Sequence, residues 1–278
     1  MTGAEAIVVE IENGCAWVTL NRPDVYNAVD LPTMERLGEV LEAVASSPAV
    51  RCVVLGGVGK AFCSGADLDL DSTAMDGSEG VRMLDTARRV ITTITGMPIP
   101  VIAAVGGPAA GVGASLAFAS DLIIAAEEAY FYLPFVGIGL MPDGGATLTV
   151  AASIGRARAM RMALRRERLG ARAAWDAGLI AEVCAGDELA TTVSAWVEDL
   201  VHGPVAALAR TKMAINELTL GDLATALAIE TRDQIGLLRS ADFAEGVAAF
   251  SERRPPRFGQ ETGSTVASDT TTIRRTTS

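Results

Sequence analysis

Short apolar runs alternate with amphipathic segments along the first half of the chain. Residues 7–11 and 16–20 both read as half-buried strands, and the Asn13–Gly14 pair between them is the strongest short signal for a β-hairpin. After Asp30, a residue type that caps helices, apolar side chains recur at helical spacing to about Ser46. The chain is therefore predicted to open with a hairpin followed by a helix.

Continuous apolar runs then predict strands that are buried on both faces. These runs are residues 52–55, 99–105, 122–126 and 180–183. A helix of small residues is predicted to begin near Val112, helical patterns dominate from about Gly155, and the last packed helix is expected at residues 241–253. This order predicts a mixed α/β chain.

Composition and charge narrow the class of protein. The 278 residues are 50% hydrophobic and 21% charged, as in an ordinary globular protein, and the formal net charge of -11 makes binding to nucleic acid or to an anionic membrane surface improbable. The four cysteines form no CxxC pair, which favours a reducing compartment. The first residues carry Glu5 and no basic segment, so no signal peptide is predicted and a cytoplasmic location is expected.

One uncharged segment, residues 90–120, is long enough to cross a bilayer. Glycine and proline interrupt it, at Gly96, Pro98, Pro100, Gly106, Gly107 and Pro108 among other positions. A helix end, a buried strand, a loop and a second helix explain such a segment better than a membrane span.

Familiar nucleotide and metal signatures nearly occur, but each lacks a required residue. Gly59–Lys60 is followed by Ala61 where a phosphate-binding loop needs a hydroxyl, and Leu116 replaces the third glycine of a dinucleotide fingerprint. Asp67, Asp69 and Asp71 have calcium-loop spacing, but Ser72 stands where that loop needs glycine. His202 is the only histidine, and it lies at a predicted helix break. We therefore predict neither a metal nor a separate cofactor.

Two glycine-rich turns remain, each leading from a buried strand towards a helix: AFCSGADL at residues 61–68 and GGPAAGVGASL at residues 106–116. Free amide groups at such turns favour negative charge, so the pair could form an oxyanion hole. Tight packing of strand against helix explains the glycines equally well.

At this point the chain resembles the crotonase (enoyl-CoA hydratase/isomerase) superfamily. The motifs that carry the resemblance occur in order over about residues 7–258: NRPDVYNAVD, AFCSGADL, the second glycine turn with SDLIIAAEEAYF, GIGLMPDGGATL and EGVAAFSERRPPRF. The resemblance implies an α/β fold with a ββα spiral core over residues 1–200, which binds acyl-CoA. It also implies a C-terminal helical trimerisation region over residues 201–256; residues 257–278 form a Ser/Thr-rich tail that we expect to be disordered.

The resemblance also implies a site. A thioester oxygen would be held by the backbone amides of Ala66 and Val112, the valine replacing the usual glycine. Hydratases of the family carry two glutamates where this chain has Ser115 and Phe135, so hydration is doubtful. Arg22 and Arg253, or its neighbour Arg254, are candidates for contacting the CoA phosphates. The other residues expected to line the acyl-CoA site are Val25, Ser64, Gly65, Asp67, Leu68, Gly111 and Leu140.

Asp143 matches the aspartate that some isomerases of the family use as a single acid/base. Within the family, the chain resembles the subgroup of phenylacetate-pathway epoxyphenylacetyl-CoA isomerases in its AAGxGA turn, the aromatic Phe135, the GRARAM helix and the SADxxEGVxAF terminus. The alternatives are that Asp143 is only a turn residue, that the protein binds acyl-CoA without turnover, or that it hydrates or hydrolyses thioesters through Asp69, Asp71 or Ser115.

Self-association as a trimer or a dimer of trimers follows from the same resemblance. Leu223, Leu227 and Ile235 recur at helical spacing in the C-terminal region, and we expect them to be exposed for this assembly.

Overall fold

The computed structural model describes residues 5–67 and 77–259. Leu68, Asp69, Asp71 and Ser72, for which a role or a motif position was considered above, lie outside the described residues, as does most of the predicted tail.

Strands and helices alternate in the described part of the chain. The strands are β1 (Ile7–Glu12), β2 (Cys15–Leu20), β3 (Cys52–Gly57), β4 (Val101–Val105), β5 (Ala109–Ala110), β6 (Leu122–Ala126), β7 (Tyr130–Tyr132), β8 (Leu169–Gly170) and β9 (Glu182–Cys184). The α-helices are α1 (Leu31–Ala45), α2 (Gly77–Gly96), α3 (Val112–Ala119), α4 (Ala146–Ile154), α5 (Arg156–Arg165), α6 (Ala171–Asp176), α7 (Leu189–His202), α8 (Val205–Thr219), α9 (Leu223–Leu237) and α10 (Ala241–Ser251). Short 3-10 helices span Pro23–Val25, Phe135–Ile138 and Gly186–Glu188.

The main sheet has the strand order β1-β2-β3-β4-β6-β9, and the strands β5, β7 and β8 form a smaller second sheet. The predicted hairpin is confirmed: β1 and β2 pair antiparallel, and Asn13 and Gly14 both have positive φ, as a tight hairpin turn requires. From β2 onward each neighbouring pair in the main sheet is parallel. The carboxyl ends of its central strands therefore lie at one edge, where the glycine turns begin.

Both faces of the main sheet are buried, which explains its continuous apolar strands. Val53 and Leu55 of β3 face a large core that includes Leu41 of α1 and Ile94 of α2. The alternate residues of the same strand, with Val54 among them, pack in a second cluster against α7. Asp30 caps α1 as predicted, since its side chain accepts a hydrogen bond from the amide of Thr33 at 2.8 Å.

Some boundaries and one burial prediction were wrong. The strand predicted at residues 180–183 begins at Glu182, and the helix predicted to end at Arg253 ends at Ser251. Leu223 and Leu227 are not exposed: they are 9% and 4% accessible. The reason is that α9 packs against α2 and α4 of its own chain, so the apolar stripe is buried without a second subunit.

The uncharged segment 90–120 is folded into the core. It contains the end of α2, the strands β4 and β5, and α3, whose residues are all buried. In the described ranges no helix combines the length and the apolar character that a membrane span needs.

Candidate active site

The two glycine turns lie against each other. Cys63 and Ala109 form a parallel bridge, and the amide of Ala110 donates a hydrogen bond to the carbonyl of Cys63 at 2.9 Å. A Cβ atom on Gly111 would lie 3.5 Å from the Cα of Gly65, and one on Gly65 would lie 3.2 Å from the carbonyl oxygen of Ala110. The turns therefore touch through their backbones, which only small residues permit.

The amides of Ala66 and Val112 lie in these touching turns. The amide of Val29 donates to the carbonyl of Gly65, and the carbonyl of Val29 accepts from the amide of Asp67. In this parallel pairing the amide of Ala66, which lies between those two residues, points away from Val29. Val112 is the first residue of α3, a position whose amide has no acceptor in its own helix. In residues 5–67 and 77–259 we find no acceptor for either amide. Two free amides in adjoining turns are suited to holding a negatively charged oxygen.

Gly111 sets the direction of the second amide. Its φ of 55° and ψ of -132° lie in a region that glycine alone adopts easily, and the chain turns there from β5 into α3. The amide of Gly111 itself donates to the carbonyl of Tyr132 at 3.0 Å. The turn is thus held by the smaller sheet, and the next amide, that of Val112, has no acceptor among the residues that the structure describes.

The loop that carries Asp143 is hydrogen-bonded to α3 through Ser115. The hydroxyl of Ser115 donates a hydrogen bond to the carbonyl oxygen of Asp143 at 2.7 Å. A Cβ on the next residue, Gly144, would lie 2.8 Å from the Cβ of Ser115, so a larger residue does not fit there. Ser115 is fully buried and lies three residues after Val112. The position where a hydratase would carry a glutamate therefore holds the backbone of the aspartate loop instead.

The carboxyl group of Asp143 is half-buried and accepts a hydrogen bond from Nε2 of Gln234 at 2.9 Å. Burial raises the pKa of Asp143 to about 7; the Gln234 hydrogen bond acts in the opposite direction, and the charge of Glu230 adds to the rise. A carboxylate with a pKa near neutrality is a far stronger base than a solvated aspartate.

The aromatic side chain of Phe135 lies beside the second turn. Phe135 is buried, and its Cζ is 4.0 Å from where a Cβ of Gly111 would be. The amide of Leu140 donates to the carbonyl of Phe135 at 3.0 Å, which closes the 3-10 helix before the aspartate loop. Helix α10 supports this segment from outside, because Gly246 lies directly on the backbone of Ile138. Phe135 thus lies beside the second turn and Leu140 is bonded to it; a contact of either residue with the substrate stays a prediction.

The predicted arginines differ in their surroundings. Arg22 forms ion pairs with Asp67 at 2.9 Å and Asp30 at 3.2 Å and donates to the carbonyl of Ala28, so it ties the loop after the hairpin to the first glycine turn. Its charge is balanced within the chain, and a contact with CoA phosphate stays a prediction. Ser64 Oγ donates to the carbonyl of Val25 at 3.3 Å, which places both residues on this same side.

The C-terminal arginines are not linked to the glycine turns by any hydrogen bond or ion pair among the described residues. Arg253 is exposed beyond the end of α10. Arg254 is held by Glu245 at 2.5 Å and by Glu252 at 2.5 Å. A role for either in binding CoA stays a prediction.

Sequence analysis missed two residues of this site, Glu230 and Gln234. Both are 1% accessible and both contact the loop that carries Asp143. A signal was available: with Leu223 and Leu227 they form one helical stripe, and polar residues in an otherwise apolar buried stripe need a specific partner.

Other candidate residues have ordinary surroundings. His202 is exposed and pairs with Glu198 one turn earlier on the same helix. Over the described ranges, no three His, Cys, Asp or Glu side chains are grouped as a metal site would require.

Comparison with known proteins gives the family of this chain. The family described as "Enoyl-CoA hydratase/isomerase" matches residues 10–261. A "Probable enoyl-CoA hydratase" of Rhodobacter capsulatus is 42% identical over 90% of this chain and 96% of its own. The "1,2-epoxyphenylacetyl-CoA isomerase" of Escherichia coli is 37% identical over 91% of this chain and 98% of its own.

A solved structure gives the same result. The enoyl-CoA hydratase from Mycobacterium avium subsp. paratuberculosis superimposes with a TM-score of 0.86 at 42% identity, covering 93% of this chain and all of that one. The predicted α/β crotonase fold with C-terminal helices is thereby confirmed. The chain belongs to the enoyl-CoA hydratase/isomerase family.

Proposed function

We propose that this enzyme is an acyl-CoA isomerase that moves a double bond within a CoA thioester, or expands an epoxidised ring, through an enolate held by the amides of Ala66 and Val112. Asp143 acts as its single acid/base. The observation that carries the proposal is the half-buried carboxyl group of Asp143, on a loop hydrogen-bonded to the helix that begins with Val112; burial raises its pKa to about 7. No cofactor beyond the CoA of the substrate takes part.

The reaction needs one base and one anion site. Moving a double bond from C3–C4 to C2–C3 removes a proton from C2 and returns it to C4, and one carboxylate can do both. The intermediate dienolate carries its negative charge on the thioester oxygen, where each preorganised amide stabilises it by about 3 kcal/mol. Because burial raises the pKa of the Asp143 carboxyl group, it accepts the proton more readily than a solvated aspartate does.

Hydration is the less favoured chemistry. It needs a group that activates water and an acid that protonates carbon, and the two family positions for those groups hold Ser115 and Phe135. Ser115 is already engaged by the carbonyl of Asp143, and Phe135 is buried against the second turn. Asp143 supplies one carboxyl group, and a single acid/base suits a proton shuttle better than the addition of water.

The proposal is tested by turnover of paired substrates. Purified protein is incubated with 3-enoyl-CoA and, separately, with 2-enoyl-CoA, and the absorbance of the conjugated thioester is followed. We expect absorbance to grow with the first substrate and to change little with the second. Thioester binding without turnover of either substrate, or of epoxyphenylacetyl-CoA, would instead identify a non-catalytic carrier.

The pH profile of the wild-type protein gives a first prediction. A base works only when deprotonated, so kcat/KM should rise with pH through about 7, the raised pKa of Asp143. At pH 5.5 it should be about 30-fold below its plateau, since only a few per cent of the carboxyl groups are then ionised. An acidic limb near pH 4, typical of a solvated aspartate, would contradict the assignment of Asp143.

A second prediction concerns the amide of Val112. Proline is tolerated at the first position of a helix, and Gly111 before it is outside the helical conformation, so Val112→Pro removes the amide proton with little effect on folding. We expect kcat to fall about 100- to 1,000-fold. Val112→Ala, which shortens the side chain but keeps the amide, is the matched control and should retain most of the activity.

Self-association is a third prediction. Exposed apolar side chains on α8 include Leu218, which is 87% accessible, and Ile215, which is 56% accessible, and burial between subunits would remove both from water. We therefore propose the trimer, or dimer of trimers, that the family resemblance implies. Light scattering should give a mass of three or six chains; a monomer at micromolar concentration would contradict it.

A further inference from the structure

One face of α9 lies beneath the loop that carries Asp143. Leu223, Leu227, Glu230 and Gln234 recur at helical spacing on this face, and all four are buried. The two leucines pack on Gly145, whose added Cβ would lie 2.9 Å from Leu223. A buried glutamate and glutamine cost stability unless they are fully hydrogen-bonded, so their partners are informative.

Glu230 holds the side of the loop that follows Asp143. Its Oε2 accepts a hydrogen bond from the amide of Gly145 at 2.7 Å. Its Oε1 accepts from the amide of Thr147 at 3.1 Å and from the hydroxyl of Thr147 at 2.5 Å. Burial raises the pKa of Glu230, while the hydrogen bonds that both oxygens accept at the N-terminus of α4 act in the opposite direction and favour the carboxylate form. Glu230 therefore caps α4 from another helix and brings a negative charge beneath the aspartate loop.

Gln234, one turn later, holds the other side of the loop and the carboxyl group itself. Its Oε1 accepts from the amide of Met141 at 3.0 Å. Its Nε2 donates to the carbonyl of Met141 and to Oδ2 of Asp143, both at 2.9 Å. Both amide protons and the amide oxygen are thus used, which fixes the orientation of the side chain.

We infer that α9 positions the proposed base through two residues with opposite effects: Gln234 orients and stabilises the carboxylate of Asp143 by a direct hydrogen bond, and Glu230 holds the same loop while placing a like charge near that carboxylate. The inference about catalysis rests on the proposed function. Gln234 and Glu230 are positioning residues, because they act through Asp143.

Among the described residues, the side chains of α2 and α3 that contact the loop are uncharged. Helix α3 contributes Ser115, and α2 contributes Ile91, which lies 3.7 Å from where a Cβ of Gly144 would be. In the part of the chain that the structure describes, Glu230 is the charged group that acts on Asp143. The hydrogen bond from Gln234 favours the ionised carboxyl group and the charge of Glu230 disfavours it, so removal of each should shift its titration in opposite directions.

The experiment compares Gln234→Met with Glu230→Gln, using Asp233→Asn as the control on an exposed neighbouring carboxylate of the same helix. The carboxyl carbon of Asp143 is titrated by 13C NMR in protein labelled at aspartate, its signal identified by its loss in Asp143→Asn. We expect the titration midpoint of Asp143 to be about 1 pH unit higher in Gln234→Met than in the wild type, and to be lower in Glu230→Gln. In the Asp233→Asn control the midpoint should be unchanged.

Kinetics provide a second readout. In Gln234→Met we expect kcat to fall about 10- to 100-fold with KM almost unchanged, and the acidic limb to follow the titration. Midpoints that move in the same direction in both variants, or in neither, would overturn the inference, because merely loosening the loop does not produce opposite shifts. Opposite shifts in protein that turns over no enoyl-CoA would uphold the positioning by α9 and reject the isomerase proposal.

Discussion

Replacing Asp143 by asparagine is expected to slow isomerisation by about two to four decades, the usual contribution of a general base. Asparagine keeps the shape of the side chain and favours the same turn, so the carbonyl that Ser115 binds should stay in place. Binding of acetoacetyl-CoA, measured by calorimetry, should change little. Stopped assays with 3-enoyl-CoA then separate loss of the chemical step from loss of binding.

The same substitution should also increase the free energy of unfolding, and more so at high pH. The folded-state pKa of Asp143 is raised above its unfolded value, so the ionised form destabilises the fold as the pH rises through about 7. Asparagine removes that penalty, and the variant should gain stability relative to the wild type at pH 8 more than at pH 5. Asp176→Asn, at an exposed aspartate of α6, serves as control. A wild-type rate in Asp143→Asn would reduce Asp143 to a turn residue.

Replacing Lys212 by methionine is expected to destabilise the fold by about 3 to 5 kcal/mol, because it leaves the largely buried carboxylate of Asp121 without its partner. Nζ of Lys212 lies 2.8 Å from Oδ2 of Asp121, and it donates to the carbonyls of Ile94 and Ile99 at 2.9 and 3.0 Å. The lysine side chain is 5% exposed and the aspartate 16%. This cluster joins α8 to the end of α2 and the segment before β4, so denaturant unfolding should report its loss directly.

The chain offers a matched control, since its only other lysine, Lys60, is exposed. Lys60→Met should change the free energy of unfolding by less than about 0.5 kcal/mol. The double variant Lys212→Met/Asp121→Asn should regain part of the stability. It removes the charge of Asp121, while the asparagine oxygen still accepts from the amide of Val101. Equal stability of the two lysine variants would show that the ion pair does not hold α8 in place.

Two features that depend on residues close together in the sequence were predicted correctly, and two features that depend on residues far apart in the sequence were not. The hairpin at Asn13–Gly14 and the cap at Asp30 depend on neighbouring residues, and both were predicted correctly. The burial of Leu223 and Leu227 was predicted wrongly, because helical spacing identifies an apolar stripe but not the surface that covers it. Glu230 and Gln234 were missed for the same reason: their partners lie more than 80 residues away in the chain.

What the sequence determined by itself is the set of local elements, the family and the single carboxyl group on the aspartate loop. Hydrophobic periodicity, turn chemistry and the ordered motifs carry that information in short segments. Only the tertiary structure decided that the turns at Gly65 and Gly111 touch and that Ser115 holds the backbone of Asp143. It also decided that α9 sets the environment of that carboxyl group, because the pKa of a carboxyl group depends on burial and on neighbouring charges that the fold brings together from distant segments.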